Sequence, residues 1–145
     1  ECAEVGMRAD IYAPYGRFKR PAQAEQEIWV GAGVGISPFI SWLQDPDAKD
    51  FDKVTLVYCF NPSRAFPPFE TLQTMSAQRG VQCIGNSGGL DVLADTLRQA
   101  VAKAEPGSVH VSFCGPKELL AKVSDLMRAN QIPLSNLHNE LFVFR

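Results

Sequence analysis

Short apolar runs rich in β-branched residues alternate with amphipathic stretches along most of the chain. The runs cover residues 28–30, 54–60, 81–84 and 109–114 and are bounded by turn residues, so each is typical of a strand buried on both faces. The stretches between them repeat apolar residues at the period of a helix. This alternation predicts a doubly wound, Rossmann-like α/β fold: a parallel sheet of about five strands with helices on both faces.

The helix boundaries and the last strand carry their own signals. Asp91 is expected to be the N-cap of the helix that ends before Pro106, and a second helix is expected between Pro116 and Pro133. Residues 137–145, LHNELFVFR, alternate with period two. This last segment is therefore expected to be a strand with one polar and aromatic face.

Composition limits the function classes. The chain has 145 residues, of which 46% are hydrophobic, and a net charge of -2, so it has the size of one globular domain without a basic face for nucleic acid. The four cysteines lack the spacing of a metal site or a disulfide framework, which favours a reducing, intracellular location. No apolar run has the length of a membrane helix. The chain is expected to be soluble as given, and its start at Glu1 suggests a piece of a longer protein.

A glycine-rich loop follows the first strand. Residues 31–38, GAGVGISP, fit the pattern G-x-G-x-x-P from Gly33 onward. Glycines let a backbone approach a pyrophosphate, and the next helix offers free N–H groups and the positive end of its dipole. Ser37 is expected to be the N-cap and Pro38 the first helical residue. For the loop alone, a turn that merely needs positive φ angles is an equal alternative.

The second strand ends without the acid of an ordinary dinucleotide site. NAD dehydrogenases have Asp or Glu there to bind the adenosine ribose, whereas this strand ends VYCFNPSR. Ser63 and Arg64 instead offer a hydroxyl and a guanidinium, which suit a 2′-phosphate. A solvated loop charge is an equal alternative for Arg64.

The motif FCGP ends the last buried run. Cys114 is expected at the mouth of the cleft, and Gly115 and Pro116 lead into a helix. Cysteine is also among the most buried residue types, so core packing is the more common role for a cysteine considered alone.

Together, GAGVGISPF, FCGP and the C-terminal strand resemble the NAD(P)H-binding lobe of the ferredoxin-NADP reductase superfamily, in order and in spacing. APYGRF, residues 13–18, is similar to the segment that ends the flavin-binding barrel of that superfamily. The resemblance implies that residues 1–20 are the last strand and tail of an FAD-binding barrel, residues 21–26 a linker and residues 27–145 the NAD(P)H-binding domain.

The resemblance also implies roles for individual residues. It makes Cys114, Glu140 and Phe142 the catalytic positions: Cys114 lies beside the nicotinamide, Glu140 stabilises charge around the transfer, and Phe142 stacks on the flavin, with Phe144 competing for that last role. The cofactor-binding set comprises the glycine loop, the end of the second strand and the residues that flank these catalytic positions: Gly31, Gly33, Val34, Gly35, Ser37, Pro38, Cys59, Ser63, Arg64, Gly115, Pro116 and Phe144. No metal site is implied.

Within the superfamily, GVGISPFISWL, AFPPF and ELFVFR are most similar to the ferric reductase and NADPH oxidase branch. That branch implies a parent in the cell membrane with a haem domain, the lobe on its cytoplasmic side, and hydride transfer from NADPH or NADH to FAD. FAD would be held mainly by the barrel of the same parent chain, because its R-x-Y-[ST] motif is missing here. The alternatives are a soluble reductase that serves a ferredoxin or an oxygenase, and a regulatory nucleotide-binding module without hydride transfer.

Overall fold

The computed structural model describes residues 18–63 and 67–141, which form a parallel sheet. The strands are β1 (Gln26–Ala32), β2 (Val54–Cys59), β3 (Gln82–Asn86), β4 (Val109–Gly115) and β5 (Leu137–Leu141). Their order across the sheet is β3-β2-β1-β4-β5. Winding therefore proceeds from the centre to one edge and then reverses between β1 and β4.

Four α-helices connect the strands and cover the sheet. They are α1 (Ser37–Gln44), α2 (Phe69–Gln78), α3 (Asp91–Lys103) and α4 (Lys117–Ala129). The first two pack on one face and the last two on the other. The predicted doubly wound fold is therefore confirmed.

The central strand β1 shows how the sequence divides the core. Trp29 points to the face covered by α1 and α2, whereas Ile28 and Val30 point to the face covered by α3 and α4. All three are at most 1% exposed. A continuously apolar strand is stable here because both faces are covered, and each such side chain contributes about 1.5–3 kcal/mol on burial.

A carboxylate lies buried at the start of this strand. Glu27 is 1% exposed and accepts hydrogen bonds from Arg20 Nε and Nη2, each at 2.9 Å. Trp29 Nε1 donates to it at 3.1 Å, and Lys53 Nζ lies 3.7 Å away. These partners compensate a charge that would otherwise be strongly unfavourable inside the protein.

Strand β3 differs from the buried run expected at residues 81–84. It begins at Gln82 and ends at Asn86, and the residues before Asn86 are exposed or only partly buried. The reason is its place at the edge of the sheet, where β2 is its paired neighbour. The second run also ends one residue early, at Cys59, which is only partly buried.

The start of α3 differs from expectation as well. Asp91, expected to be the N-cap, is the first helical residue, and Leu90 takes the cap position without a side-chain hydrogen bond. The expected cap is wrong because helical backbone already begins at Asp91. Its carboxylate still lies in the first turn, where it complements the positive end of the helix dipole.

The domain boundaries fall partly outside the described residues. β1 begins at Gln26, and Phe18 and Ala24, which precede it, are 6% and 4% exposed within the lobe. Residues 1–17 are not described. The assignment of residues 1–20 to a flavin-binding barrel, 21–26 to a linker and 27–145 to the nucleotide domain therefore stays a prediction.

Candidate functional site

Residues from all five strands meet at the carboxyl edge of the sheet. The register pairs at this edge are Ala32 with Cys59, Cys59 with Asn86, Gly31 with Cys114, and Cys114 with Glu140. Ligands of doubly wound sheets bind at this edge, where the strand order reverses. The fold thus brings the glycine loop together with Cys59, Cys114 and Glu140, as the sequence predicts.

The glycine loop forms a 3-10 turn, Gly33–Ile36, between β1 and α1. Gly33 has a φ of 59°, a left-handed conformation that few residues with a Cβ adopt. A Cβ on Gly33 would meet nothing within 4 Å, and Val34 is 47% exposed. The loop is therefore a turn that requires one positive φ, and its outer side leaves room for a ligand.

The turn runs directly into α1, which changes the expected start of the helix. The residue before Ser37 is the cap position and has helical backbone, with φ -71°, so that Ser37 is the first residue of α1 and Pro38 the second. The predicted capping by the Ser37 hydroxyl is wrong, because Ser37 lies within the helix and an N-cap residue needs extended backbone. The N–H groups that have no partner within the turn belong instead to Gly33 and Val34, because a 3-10 turn that begins at Gly33 already uses the Gly35 N–H in an i→i+3 bond.

Close packing explains two other glycines of the site. A Cβ on Gly31 would lie 2.9 Å from Ile36 Cδ1 and 3.0 Å from Ile36 Cα. A Cβ on Gly115 would lie 3.0 Å from Ala32 Cβ. These distances are below ordinary van der Waals contact. Glycine at both positions therefore lets β1, β4 and the loop approach one another.

Cys114 belongs to the core at this edge. It is 1% exposed and packs in the cluster beneath α1. Burial, and then the nearby Glu140 carboxylate, raise the pKa of the Cys114 thiol to about 12. The thiol is therefore neutral at physiological pH and is not a nucleophile. Cys114 therefore lies at the carboxyl edge with its side chain packed in the core, and a contact with nicotinamide stays a prediction.

Strand β5 places Glu140 beside Cys114 in the register. Glu140 is partly buried, whereas the next residue, Leu141, is 37% exposed. Phe142 and Phe144 lie outside the described residues. Their predicted stacking on a flavin therefore stays a prediction.

At the end of β2, the loop around Ser63 is held by a side chain. Asn61 Oδ1 accepts hydrogen bonds from the Ser63 hydroxyl at 2.8 Å and from its backbone N–H at 3.0 Å. Ser63 is exposed, and its hydroxyl retains acceptor capacity. Arg64, its predicted partner for a 2′-phosphate, lies outside the described residues, so their joint role stays a prediction.

Asn86 is a residue of this edge that the sequence reasoning missed. It is 5% exposed, and its amide accepts from Gly88 N–H at 3.3 Å and donates to Gly89 O at 3.3 Å. The same Nδ2 lies 3.6 Å from Cys59 Sγ. Burial raises the pKa of the Cys59 thiol, and this hydrogen bond opposes the rise. An Asn directly before Ser-Gly-Gly at a strand end was the available signal.

Both histidines of the chain pair with each other on β4 and β5. His110 Nδ1 and His138 Nε2 are 2.9 Å apart, and the rings stack with centroids separated by 5.2 Å. Burial and then the charge of His138 lower the pKa of His110, and Lys53 adds to the effect while Glu27 opposes it. His138, which shares a face with Glu140, is therefore a structural histidine with a side-chain partner.

This pair predicts a pH-dependent stability. The unfolded chain has an ordinary histidine pKa of about 6.5 and binds more protons below that pH than the folded chain, where the pKa of His110 is lower. The contribution of neutral His110 is therefore complete above that pH and is lost as the pH falls towards the folded pKa. We expect His110→Gln to flatten this dependence in urea unfolding at a series of pH values. Equal slopes in both proteins would contradict the expectation.

The chain matches curated proteins along nearly its whole length, although no known family profile matches it. The carnitine monooxygenase reductase subunit of Escherichia coli (strain K12) is 31% identical over 140 residues, which are 96% of this chain and 42% of that protein. The ferredoxin reductase component of 3-ketosteroid-9-alpha-monooxygenase from Mycobacterium tuberculosis (strain ATCC 25618 / H37Rv) is 27% identical over 145 residues, covering 97% and 40%. The chain thus spans about two fifths of these relatives.

Solved structures share the fold. Ferredoxin-NADP+ reductase from Plasmodium falciparum with 2′P-AMP aligns with a TM-score of 0.61 and 19% identity, over 88% of this chain and 57% of that chain. Phthalate dioxygenase reductase aligns with a TM-score of 0.60 and 24% identity, over 86% and 38%. The chain therefore has the fold of a part of these two reductases. The resemblance to the ferredoxin-NADP reductase superfamily is confirmed, whereas the ferric reductase branch gains no support.

Two further observations concern the described part of the lobe. No group of three or more His, Cys, Asp or Glu side chains among residues 18–63 and 67–141 could hold a metal ion. Within the same ranges, no helix combines the length and the apolar character needed to cross a bilayer.

Proposed function

We propose that this lobe binds NADH or NADPH and orients it for hydride transfer to an FAD held by another part of the same parent chain. The proposal rests on one observation: the glycine loop and the Cys114–Glu140 pair meet where the strand order reverses. The reductase relatives support the same activity. In this proposal the parent is an NAD(P)H-dependent flavin oxidoreductase.

The glycine loop fits a pyrophosphate. The leading N–H groups of Gly33 and Val34 stand at the positive end of the combined turn and helix, which favours an anion. The open side of Gly33 leaves space for it. Ser37 and Pro38 contribute by fixing the first turn of α1 behind the loop, with Pro38 buried.

The two cofactors carry the redox chemistry: NAD(P)H supplies the hydride and FAD accepts it. The residues of this chain then need only bind, orient and exclude water. In the proposal, Cys114 offers a neutral contact to the nicotinamide, and the glycine and proline after it shape the adjoining turn. Glu140, with Phe142 or Phe144, lies on the flavin side.

The adenosine end is proposed to lie over the end of β2. Cys59 ends that strand beside Asn86, and the exposed Ser63 follows it. Ser63 with Arg64 would bind a 2′-phosphate and so favour NADPH. Phe60 stands directly after Cys59, where the oxidase branch carries a basic residue, so NADH remains an equal candidate.

We infer that the parent belongs to an oxygenase system. The relatives described above are reductase components of monooxygenases and match 96% and 97% of this chain. They favour an electron-transfer reductase serving a ferredoxin or an oxygenase over a membrane ferric reductase with a haem domain. Partners in this proposal are NAD(P)H, the FAD-binding domain and an iron–sulfur or oxygenase acceptor.

Stopped-flow absorbance of the full-length parent tests the proposal. Under anaerobic conditions, NADH or NADPH is expected to bleach the visible flavin absorbance in a single turnover. Nucleotide binding without bleaching would instead identify a regulatory module. In a second step, the reduced protein is mixed with a ferredoxin or with a ferric chelate, and faster reoxidation by the chelate would favour the ferric reductase parent.

A further inference from the structure

The chain enters the lobe against the helix that follows the glycine loop. We call residues 18–20 the entry segment. The Phe18 ring lies 5.9 Å from the Phe39 ring and 5.1 Å from the Trp42 ring, measured between centroids. Phe39 and Trp42 belong to α1, and Phe39 lies in its first turn. The entry segment therefore packs directly on α1, the helix that follows the glycine loop.

Arg20 fixes the same segment by several independent contacts. Its guanidinium forms the fork with buried Glu27 described above, and its Nη1 and Nη2 donate to the carbonyl oxygens of Lys49 at 2.6 Å and Asp50 at 2.5 Å. It also lies over the Phe51 ring, 4.7 Å from the centroid. Its side chain is 17% exposed. An arginine with this many partners holds one conformation, because its planar donors are matched by fixed acceptors.

A second arginine contacts the same loop, residues 45–53. Arg79 lies 4.6 Å from the Phe51 centroid and donates to the carbonyl oxygens of Asp45 and Ala48, each at 2.9 Å. Arg79 directly follows α2, and these three contacts join it to the loop and not to the entry segment. Both arginines therefore contact the Phe51 ring and the same loop. Arg20 connects them to the entry segment, whereas Arg79 connects them to the end of α2.

We propose that Phe18 and Arg20 are positioning residues for hydride transfer, an inference that rests on the proposed function. They lock the point of chain entry to β1 through Glu27 and to the first turn of α1 through Phe39. These contacts thereby set the orientation of the preceding flavin-binding part relative to the nucleotide bound by the lobe. Displacement of reacting groups by about 1 Å can lower a rate roughly 100-fold, so a loosened entry segment slows transfer while the glycine loop still binds nucleotide.

The test uses the full-length parent and three variants: Arg20→Lys, Arg79→Lys and Phe18→Leu. Each arginine substitution keeps the charge and removes the planar donors, so Arg79→Lys is the matched control for the loop and its ring stack. Single-turnover flavin reduction at a series of NADH concentrations gives the NADH Kd and the limiting rate separately. Thermal unfolding of each protein reports whether the fold is intact.

We expect Arg20→Lys and Phe18→Leu to lower the limiting rate about tenfold with an NADH Kd within about twofold of wild type. Arg79→Lys is expected to leave both constants near wild type. Equal limiting rates in wild type, Arg20→Lys and Phe18→Leu would overturn the inference, as would an equal loss in Arg20→Lys and Arg79→Lys. Absence of flavin reduction in wild type with NADH and with NADPH would instead overturn the proposed function.

Discussion

Gly31→Ala is expected to raise the Kd for NADH about tenfold, which corresponds to about 1.4 kcal/mol of binding free energy, because the added Cβ displaces the turn that is proposed to bind the pyrophosphate. The added Cβ would lie 2.9 Å from Ile36 Cδ1, 3.0 Å from Ile36 Cα and 3.1 Å from Gly35 O. The backbone contacts cannot be relieved by a side-chain rotation, so the turn must move away from β1. Isothermal titration of NADH into wild type and variant measures the change.

Gly107→Ala is the matched control. A Cβ on Gly107 would meet nothing within 4 Å, and Gly107 precedes β4, at the opposite end of that strand from the glycine loop. We expect an NADH Kd within about threefold of wild type, because a surface substitution away from the site changes free energies by no more than about 0.5 kcal/mol. Unchanged NADH affinity in both variants would show that the loop is only a strand-to-helix turn.

Glu27→Ala is expected to lower the free energy of unfolding by about 3–5 kcal/mol, the usual cost of breaking a buried ion pair from one side. The variant leaves the Arg20 fork, Lys53 and Trp29 Nε1 without their shared acceptor. Arg20 and Lys53 are only 17% and 22% exposed, so water replaces the carboxylate poorly. Urea unfolding followed by circular dichroism should show a lower midpoint with an unchanged slope.

Asp125→Ala provides the comparison for Glu27. Asp125 also pairs with an arginine, Arg128, at 2.8 Å, but the two side chains are 74% and 61% exposed. Exposed ion pairs of this kind contribute little to the free energy of unfolding, so no measurable shift of the urea midpoint is expected. A similar shift in both variants would mean that burial of Glu27 is unimportant.

The fold could be predicted because its signal is repeated along the chain. Each buried run, such as residues 28–30 or 109–114, has its own periodicity and its own breakers, and alternation alone then limits the architecture. The extent of β3 could not be predicted, because exposure at an edge depends on strand order. Asp91 and Ser37 were misjudged as caps because local composition does not reveal where helical backbone begins.

For the candidate site, too, features that follow from the order of strands and loops could be predicted, whereas features that depend on tertiary packing could not. The glycine loop and the Cys114–Glu140 neighbourhood follow from strand ends that any doubly wound sheet brings together. Glu27 gave no such signal, because its partners Arg20 and Lys53 reach it only after the chain has folded. The burial of Cys114 also depends on packing, in this case by the helix face beneath which it lies.

The aromatic packing around α1 has an optical consequence. Trp29 and Trp42 are the two tryptophans of this chain, and their ring centroids are 5.1 Å apart. One touches Phe18, and both touch Phe39 behind the glycine loop. Indole emission overlaps the absorption of reduced nicotinamide nucleotides. The tryptophan fluorescence of the chain therefore originates where the entry segment packs against α1. If the proposed function holds, a single emission signal is expected to report both nucleotide binding and the packing of the entry segment.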